Sequence, residues 1–288
     1  MEIQHTIARE ADVQGIGLHT GNLCKVVFKP APAGTGIVLI RTDLPGNPSV
    51  LAHYSNILGV IRGTTVGNPA MRVHTIEHML SALYALGIDN VFIEMNANEP
   101  PVLDGSSLGF FDALNETGLQ SLGVPRQILK VTEPFEYRGG ETGIRVEPSE
   151  DLRLTASIVY NHPLIQEQQM TVTIQPDTYR TEIAPCRTFC FDYEVEALKK
   201  QGLARGGSLD NAVVVGLDRI HNKEKMLRFP DEFVRHKILD LLGDLYLLGC
   251  RLKGHVIARR PGHGHNTNFI KQLAEHLLNK ELSCQKPS

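Results

Sequence analysis

Two short stretches of the 288-residue chain carry histidine and carboxylate side chains at a spacing typical of metal ligands. The first reads H-x-x-E-H, with His74, Glu77 and His78, and the second places Asp240 four residues after His236. Both stretches have apolar residues at helical spacing, and positions i and i+4 of a helix share one face. Imidazole and carboxylate ligands suit zinc, and a glutamate beside the metal can accept a proton from water. The two stretches therefore predict a metal site with a general base.

The two stretches are also related to each other. Aligning Leu83 with Leu245 places His74 on His236, and each copy then continues into an apolar, strand-like segment. The residues around Asp240 are almost unbrokenly apolar, which predicts a buried helix. A buried carboxylate is costly unless it is paired or binds a metal. The pattern predicts a duplicated unit whose two copies share one metal site.

Spacing alone leaves the set of ligands open. If both histidines of H-x-x-E-H bound together with His236 and Asp240, the site would be closed and structural, whereas three ligands and a water would make it catalytic. H-x-x-E-H by itself is also typical of inverted-zincin peptidases, in which both histidines bind zinc. A histidine pair at this spacing can equally be an ordinary surface or core pair. A catalytic site, a peptidase and a non-enzymatic duplicated module with a structural zinc are all compatible with these residues.

Composition narrows the classes of partner and compartment. The formal net charge is −3, which gives no global reason to expect nucleic-acid binding. The five cysteines include no C-x-x-C pair and the N-terminus is polar, so we expect a reduced, cytoplasmic protein. We expect Cys186 and Cys190 to be inert thiols rather than ligands. No apolar run reaches the roughly 18 residues of a membrane span, so we expect at most peripheral proximity to a membrane through a bound substrate.

The pattern of elements predicts an α+β fold, because long helices and short strands follow one another without regular alternation. A turn-forming segment, G-V-P-R-Q, divides the chain into two domains, residues 1–125 and 126–288. Residues 188–216 have no counterpart of similar length in the first half, and we interpret them as an insertion that carries specificity. The predicted helices cover residues 73–87, 107–118, 231–249 and 267–280. The predicted strands cover residues 23–28, 37–41, 91–95, 143–147 and 152–160.

A series of motifs through nearly the whole chain resembles one known family. In chain order the motifs are G-I-G-L-H-T-G (15–21), H-T-I-E-H (74–78), L-G-I-D-N (86–90), L-D-G-S (103–106), R-T-F (187–189), F-V-R-H-K-I-L-D-L-L-G-D-L (233–245) and G-H (262–263). They closely resemble the UDP-3-O-acyl-N-acetylglucosamine deacetylases, zinc amidases that commit Gram-negative cells to lipid A synthesis. The resemblance implies two similarly folded domains, each a sheet layered against helices, with the active site in the cleft between them. It also implies hydrolysis of the 2-acetamido group of UDP-3-O-(3-hydroxyacyl)-N-acetylglucosamine, with release of acetate.

The resemblance implies which residues bind the metal. One zinc ion per chain, or Fe²⁺ in its place, would be bound by His78, His236 and Asp240. Glu77 would be the general base. His74 would not be a ligand, which leaves the fourth position for water. Two roles are open for His74: it could contact the ligands, or it could be a plain packing residue.

The resemblance implies four further catalytic residues. His263 would be the second acid-base group, and Asp244 would lie beside it and keep it charged. Whether His263 donates a proton or only stabilises charge is open. Thr188 would hydrogen-bond the oxyanion, and Lys237 would lie near the phosphates of the substrate or its developing charge.

The remaining assignments concern binding of the UDP-acyl-sugar to a protein that we expect to be a monomer. We expect His19 to lie along the cleft, the ring of Tyr160 to stack on uracil and Arg260 to contact the diphosphate or the ribose. The insertion would hold the acyl chain in an apolar passage lined by Phe189, Phe191 and Leu198. Two segments depart from the family pattern: the residues after R-T-F, and G-T-T at 63–65.

Overall fold

The computed structural model describes residues 2–284, with side chains described as far as residue 277. Helices and strands are mixed along this part of the chain, which confirms the predicted α+β class. The first half contains the strands β1 (Ile3–Ile7), β2 (Ala11–Ile16), β3 (Leu23–Pro30), β4 (Ile37–Arg41), β5 (Ser49–Leu51), β6 (Ile57–Gly59), β7 (Thr65–Asn68), β8 (Met71–Val73), β9 (Val91–Met95) and β10 (Leu119–Pro125). Its helices are α1 (Glu77–Leu86) and α2 (Leu108–Asn115).

The second half repeats this mixture of elements. Its strands are β11 (Ile128–Lys130), β12 (Phe135–Gly139), β13 (Thr142–Glu147), β14 (Leu152–Val159), β15 (Glu167–Thr173), β16 (Phe189–Phe191), β17 (Val213–Val215), β18 (Ile220–His221) and β19 (Arg251–Arg259). Its helices are α3 (Pro176–Glu182), α4 (Asp192–Lys200), α5 (Glu232–Leu245) and α6 (His263–Cys284). None of the helices in the described residues is both long and apolar enough to cross a membrane.

Each half contains a main sheet, and the two sheets have the same strand order. The order is β2-β3-β9-β4-β5 in the first half and β12-β13-β19-β14-β15 in the second, where β11 also pairs with β19. The parallel pair β4 with β9 in the first sheet corresponds to the parallel pair β14 with β19 in the second, where β11 also pairs with β19 in parallel. Every strand pair of the described residues lies either before residue 126 or after it. The matching order agrees with the repeat in the sequence, and we propose the domain boundary at that point.

The strands of both sheets are buried on one face and less buried on the other. Buried and half-buried residues alternate along β4 and β9, and the same alternation covers most of β19. Side chains of a strand point alternately to opposite faces, so every second residue packs into the core. Leu39, Ile93 and Val256 are fully buried in this way. Burial of each such side chain contributes about 1.5–3 kcal/mol.

Helices α1 and α5 pack against each other and join the two halves. All ten residues of α1 are buried, and so are twelve of the fourteen residues of α5. Gly243 permits their close approach, because a Cβ atom there would overlap the carbonyl oxygen of Glu77. Gly87 ends α1 and Gly249 ends the 3-10 turn after α5, both with a φ of 75° that glycine adopts without strain. The packing places the first turn of α1 beside the last turns of α5.

The prediction that α1 starts at residue 73 is wrong. The helix begins at Glu77, because Met71–Val73 form β8 and pair with β7. The backbone N–H of His74 donates to the carbonyl of Asn98 at 2.8 Å, and Thr75 has a φ of 55°. These conformations are incompatible with a helix. His74 is therefore not one turn before His78 on a common helical face.

The other predicted elements are confirmed with shifted ends. Helix α2 lies within the predicted 107–118, α5 ends at Leu245 and continues as a short 3-10 turn, and α6 begins at His263 rather than at 267. The five predicted strands correspond to β3, β4, β9, β13 and β14. Residues 188–216 contain β16, α4 and β17, where β16 and β17 pair in parallel.

Candidate active site

Three side chains from two helices bring metal-binding atoms to one point. His78 lies in the first turn of α1, and His236 and Asp240 are one turn apart in α5. Their ligand atoms all lie within 4.8 Å of one another. The Nε2 atoms of His78 and His236 are 3.7 and 3.4 Å from Oδ1 of Asp240. All three residues are buried, and two imidazoles with one carboxylate are a donor set that zinc favours.

Asp240 has one oxygen bound by the protein and one that is not. Its Oδ2 accepts a hydrogen bond from Nζ of Lys237 at 3.0 Å, whereas its Oδ1 is buried and has no hydrogen-bond partner among the described residues. Burial opposes its ionisation, but the neighbouring His236 and Lys237 hold the pKa of Asp240 well below its ordinary value. A buried, charged oxygen without a partner is costly. A metal ion between the three side chains would satisfy it, so these residues fit a metal site.

Both histidines are in the neutral form that binds metals. Burial and the neighbouring His236 lower the pKa of His78 to about 3, and burial also lowers the pKa of His236. Nδ1 of His236 lies 3.1 Å from the carbonyl oxygen of Cys186. A carbonyl accepts a hydrogen bond, so Nδ1 carries the proton and Nε2 keeps its lone pair for a metal.

Glu77 lies beside this cluster and is held by the loop that precedes β7. Its Oε2 accepts the backbone N–H of Thr64 at 3.0 Å, and its Oε1 is 3.6 Å from Nε2 of His263. Burial raises the pKa of Glu77 to about 7, against the opposing effect of His263. A carboxyl group whose pKa lies near neutrality can both accept and return a proton. Glu77 also forms a second group of possible ligands with Asp240 and His263.

His263, at the start of α6, faces the cluster from the other side and is held by Asp244. Nδ1 of His263 lies 2.9 Å from Oδ2 of Asp244, which also accepts a hydrogen bond from Nδ2 of Asn266 at 2.9 Å. Burial alone would lower the pKa of His263, but the carboxylates of Asp244 and Glu77 raise it to about 10. The imidazole is therefore charged at neutral pH and can donate a proton from Nε2.

His74 does not join the ligands. It is half-buried, and its Nδ1 lies 2.9 Å from the hydroxyl of Thr65. The groups of possible metal ligands in the described residues do not include it. A closed site with four ligands would require His74, so the geometry favours three ligands.

A cavity of about 270 Å³ opens beside the R-T-F segment, and we call it the insertion cavity. It is lined by His19, Thr188 and Phe189, together with Leu198 and other residues of α4 and the following loop. This arrangement brings together four of the predicted substrate-contacting residues. A larger cavity of about 340 Å³ lies at the far end of α5 and contains none of the predicted site residues.

Phe191 was predicted to line the passage, but it does not line the insertion cavity. Its side chain is buried and packs against the rings of Tyr160, His162 and Tyr193, at centroid distances of 5.6, 5.3 and 5.2 Å. Tyr160 also meets the ring of Phe189 edge-on at 6.1 Å. Tyr160 is half-buried in this aromatic cluster, which leaves part of its ring accessible.

Lys237 and Arg260 have protein partners in the structure. Nζ of Lys237 lies 5.5 Å from the centre of the Phe189 ring, in addition to its contact with Asp240. Burial opposes the charge of Lys237, but the carboxylate of Asp240 raises its pKa. The guanidinium of Arg260 pairs with Glu141, and its Nε is buried without a hydrogen-bond partner among the described residues.

Thr64 is a site residue that the sequence reasoning missed. Besides holding Glu77 through its N–H, Thr64 donates its hydroxyl to Oδ1 of Asp244 at 2.5 Å. It therefore connects the predicted base to the carboxylate that holds His263. Thr64 lies in G-T-T at 63–65, a segment that departed from the family pattern, and only the folded chain brings it to the site. Asn266, three residues after His263, was missed for the same reason.

Residues of the R-T-F and L-D-G-S motifs form ion pairs that hold the segments around the candidate site in place. Arg187 is buried and forms an ion pair with Glu232 in the first turn of α5, with Nε 2.8 Å from Oε1. Nη1 of Arg228 binds Oδ2 of Asp104 at 2.7 Å. The first contact attaches the segment that carries Thr188 to α5, which carries His236 and Asp240, and the second attaches the L-D-G-S segment to the loop before α5.

Comparison with known proteins identifies relatives across nearly the whole chain. The family model described as LpxC, UDP-3-O-acyl N-acetylglycosamine deacetylase, matches residues 4–275. The UDP-3-O-acyl-N-acetylglucosamine deacetylase of Bdellovibrio bacteriovorus is 44% identical over 273 residues, which cover 95% of this chain and 90% of the relative. The deacetylase of Wolinella succinogenes is 42% identical over 285 residues, 99% of this chain and 92% of the relative. The chain therefore belongs to the LpxC family of UDP-3-O-acyl N-acetylglycosamine deacetylases.

Proposed function

We propose that this protein hydrolyses the 2-acetamido group of UDP-3-O-(3-hydroxyacyl)-N-acetylglucosamine and releases acetate, in the committed step of lipid A synthesis. The observation that carries the proposal is the group formed by His78, His236 and Asp240, with a buried oxygen of Asp240 that lacks a partner. The names of the relatives give the same substrate class. When bound by these three residues, zinc, or Fe²⁺ in its place, supplies Lewis acidity to the acetamide carbonyl and to the attacking water.

Glu77 and His263 divide the proton transfers of the reaction between them. Glu77 accepts the proton of the attacking water while a C–O bond forms at the acetamide carbon. The C–N bond then breaks, and Nε2 of His263 donates a proton to the departing amine. An amine is a poor leaving group unless it is protonated, and Asp244 keeps His263 charged for this step. The products are acetate and the free amino sugar.

Thr188 and Lys237 stabilise charge around the reacting group. The hydroxyl of Thr188 donates a hydrogen bond to the oxyanion of the tetrahedral intermediate, a preorganised donor of the kind that lowers barriers most. Thr188 is fixed by its backbone, because its N–H donates to Gly105 at 2.8 Å and its carbonyl accepts from Val213 at 2.9 Å. Lys237 places its ammonium near the developing charge or the phosphates of the substrate.

The rest of the substrate extends from this centre in two directions. The acyl chain enters the insertion cavity between Phe189 and Leu198, while His19 lies along its path. Tyr160 offers a ring to the uracil. Arg260 contacts the diphosphate or the ribose by exchanging its partner Glu141 for the ligand.

The test measures acetate release from the UDP-acyl-sugar together with the metal content of the protein. We expect turnover that a chelator abolishes and that added Zn²⁺ restores. Peptide cleavage in place of acetate release would identify a peptidase. Absence of both activities in a protein that unfolds when its metal is removed would identify a structural metal module.

A further inference from the structure

The loop before β7 and helix α4 meet beside the insertion cavity. Nη2 of Arg62 lies 2.6 Å from Oε1 of Glu194 in the first turn of α4. Arg62 lines the insertion cavity, and so do Val195 and Leu198 of the same helix. The ion pair therefore connects a first-half residue of the cavity lining to the second-half helix that supplies Val195 and Leu198.

Each partner of this pair is held in place by a second contact. Oε2 of Glu194 accepts the backbone N–H of Phe191 at 3.1 Å, which fixes the carboxylate at the start of α4. Arg62 has a φ of 59°, a conformation that non-glycine residues rarely adopt. Its carbonyl oxygen lies 3.3 Å from Nε2 of His19, whose own backbone N–H donates to the buried Glu99. The backbone of Arg62 is therefore fixed beside His19, and its guanidinium reaches Glu194 from that position.

Stability does not explain the pair. The side chains of Arg62 and Glu194 are 44% and 23% exposed, and ion pairs this exposed contribute little to stability. The pair does, however, link Arg62 to α4 directly beside a cavity whose lining is largely apolar. An alkyl chain gains free energy from each methylene that is removed from water. A closed side therefore increases the gain for a chain that fills the cavity and not for a short one.

We propose that Arg62 and Glu194 form a clasp over the insertion cavity that determines specificity for long acyl chains. The inference rests on the proposed deacetylation, because the cavity accepts the acyl group of that substrate. With the clasp closed, a long chain is enclosed along its length. With the clasp open, water reaches the chain and the preference over a short chain falls.

The first experiment compares kcat/KM for a substrate with a 3-hydroxytetradecanoyl chain and for one with a 3-O-acetyl group. Arg62→Gln and Glu194→Gln remove one charge each, and the glutamine at 194 keeps an acceptor for the N–H of Phe191. We expect each variant to reduce the ratio of long-chain to short-chain kcat/KM by about fivefold, which corresponds to about 1 kcal/mol. The double variant should lose no more than either single one, since both act through one contact. Equal losses for both substrates, or no loss for either, would overturn the clasp.

The second experiment needs no deacetylation, so failure of the clasp and failure of the proposed function can be told apart. Cys190 lines the cavity near both charges, and its modification by N-ethylmaleimide can be followed by mass spectrometry with Cys250 as the internal control. If the clasp opens, N-ethylmaleimide should modify Cys190 severalfold faster in both single variants than in the wild type. Charge alone predicts opposite changes, because Arg62 lowers the pKa of this thiol and Glu194 raises it. A slower rate in Arg62→Gln, or unchanged rates in both, contradicts the proposal.

Discussion

At the scale of single residues, the three carboxylates of the candidate site differ in their hydrogen-bond partners, and each set of partners suits a different role. Asp240 has Lys237 on one oxygen and none on the other, so it remains ionised and available to a metal. Asp244 has its oxygens occupied by Thr64, His263 and Asn266, which suits the proposed role of orienting the histidine and keeping it charged. Glu77 has a single N–H donor and a raised pKa, which suits a group that takes up a proton.

The role of Glu77 predicts a loss of turnover without a loss of metal. Glu77→Gln keeps the size of the side chain and an acceptor for the N–H of Thr64 but cannot take up a proton. We expect kcat to fall by about two orders of magnitude or more, while metal content measured by atomic emission stays at one ion per chain. Glu94→Gln is the matched control, because it removes a carboxylate of β9 that pairs with Lys29 of β3. It should leave kcat within twofold. Near-normal turnover of Glu77→Gln would show that another group is the base.

The contact between Asp244 and His263 predicts a shift in the pH dependence. The carboxylate of Asp244 is the largest of the effects that raise the pKa of His263, so its removal lowers that pKa. Because the proposed mechanism requires the protonated imidazole, Asp244→Asn should move the alkaline limb of the kcat/KM profile to lower pH. Asn266→Ala removes a hydrogen bond to Asp244 without removing its charge and should leave the limb nearly in place. An alkaline limb that does not move in Asp244→Asn would exclude His263 as the proton donor.

At the scale of elements, the spacing of the ligands in α5 could be predicted and the position of His74 could not. His236 and Asp240 share a face because nothing interrupts the apolar periodicity of that helix. His74 has the same spacing from His78, but its N–H is bound to Asn98, which is distant in sequence. Hydrogen bonds of this kind depend on the tertiary structure, and a local pattern contains no information about them. Thr64 was missed for the same physical reason.

The packing of α1 on α5 predicts that Gly243 tolerates no side chain. In Gly243→Ala the new methyl group would overlap the carbonyl of Glu77, so the two helices must separate. Overpacking of this kind costs about 1–3 kcal/mol of unfolding free energy, and separation of the helices also weakens metal binding. Gly264→Ala in α6 is the control, because its Cβ would meet only Val60 Cγ2 at 3.7 Å. Urea unfolding of both variants tests the prediction, and equal stability of Gly243→Ala and the wild type would show that the helices can shift freely.

At the scale of the whole molecule, the repeat explains why one site needs both halves. The two sheets share one strand order, and α1 and α5 occupy corresponding places before β9 and β19. Alternating apolar residues predict the strands, and the similarity of the two helix sequences predicts two units of related topology. The pairing of β16 with β17 and the position of the insertion cavity could not be predicted, because both depend on contacts between segments that are distant in sequence. Both lie in the region where the acyl chain of the substrate is proposed to bind.

A metal bound by both halves should also hold them together, so its removal should lower the thermal stability of the protein. The ligand from α1 and the two from α5 can be satisfied at once only in the folded state, and a ligand of the folded state stabilises it by mass action. At a hundredfold excess over Kd the contribution is about 2.7 kcal/mol, which corresponds to about 5–10 °C in Tm for a chain of this size. We expect a chelator to lower Tm by this amount, added Zn²⁺ to restore it, and Asp240→Asn to respond to neither. Scanning calorimetry of the wild type and of Asp240→Asn, each with and without chelator, measures these changes in Tm. If Tm of the wild-type protein were the same with and without metal, the three side chains would not bind it as a link between the halves.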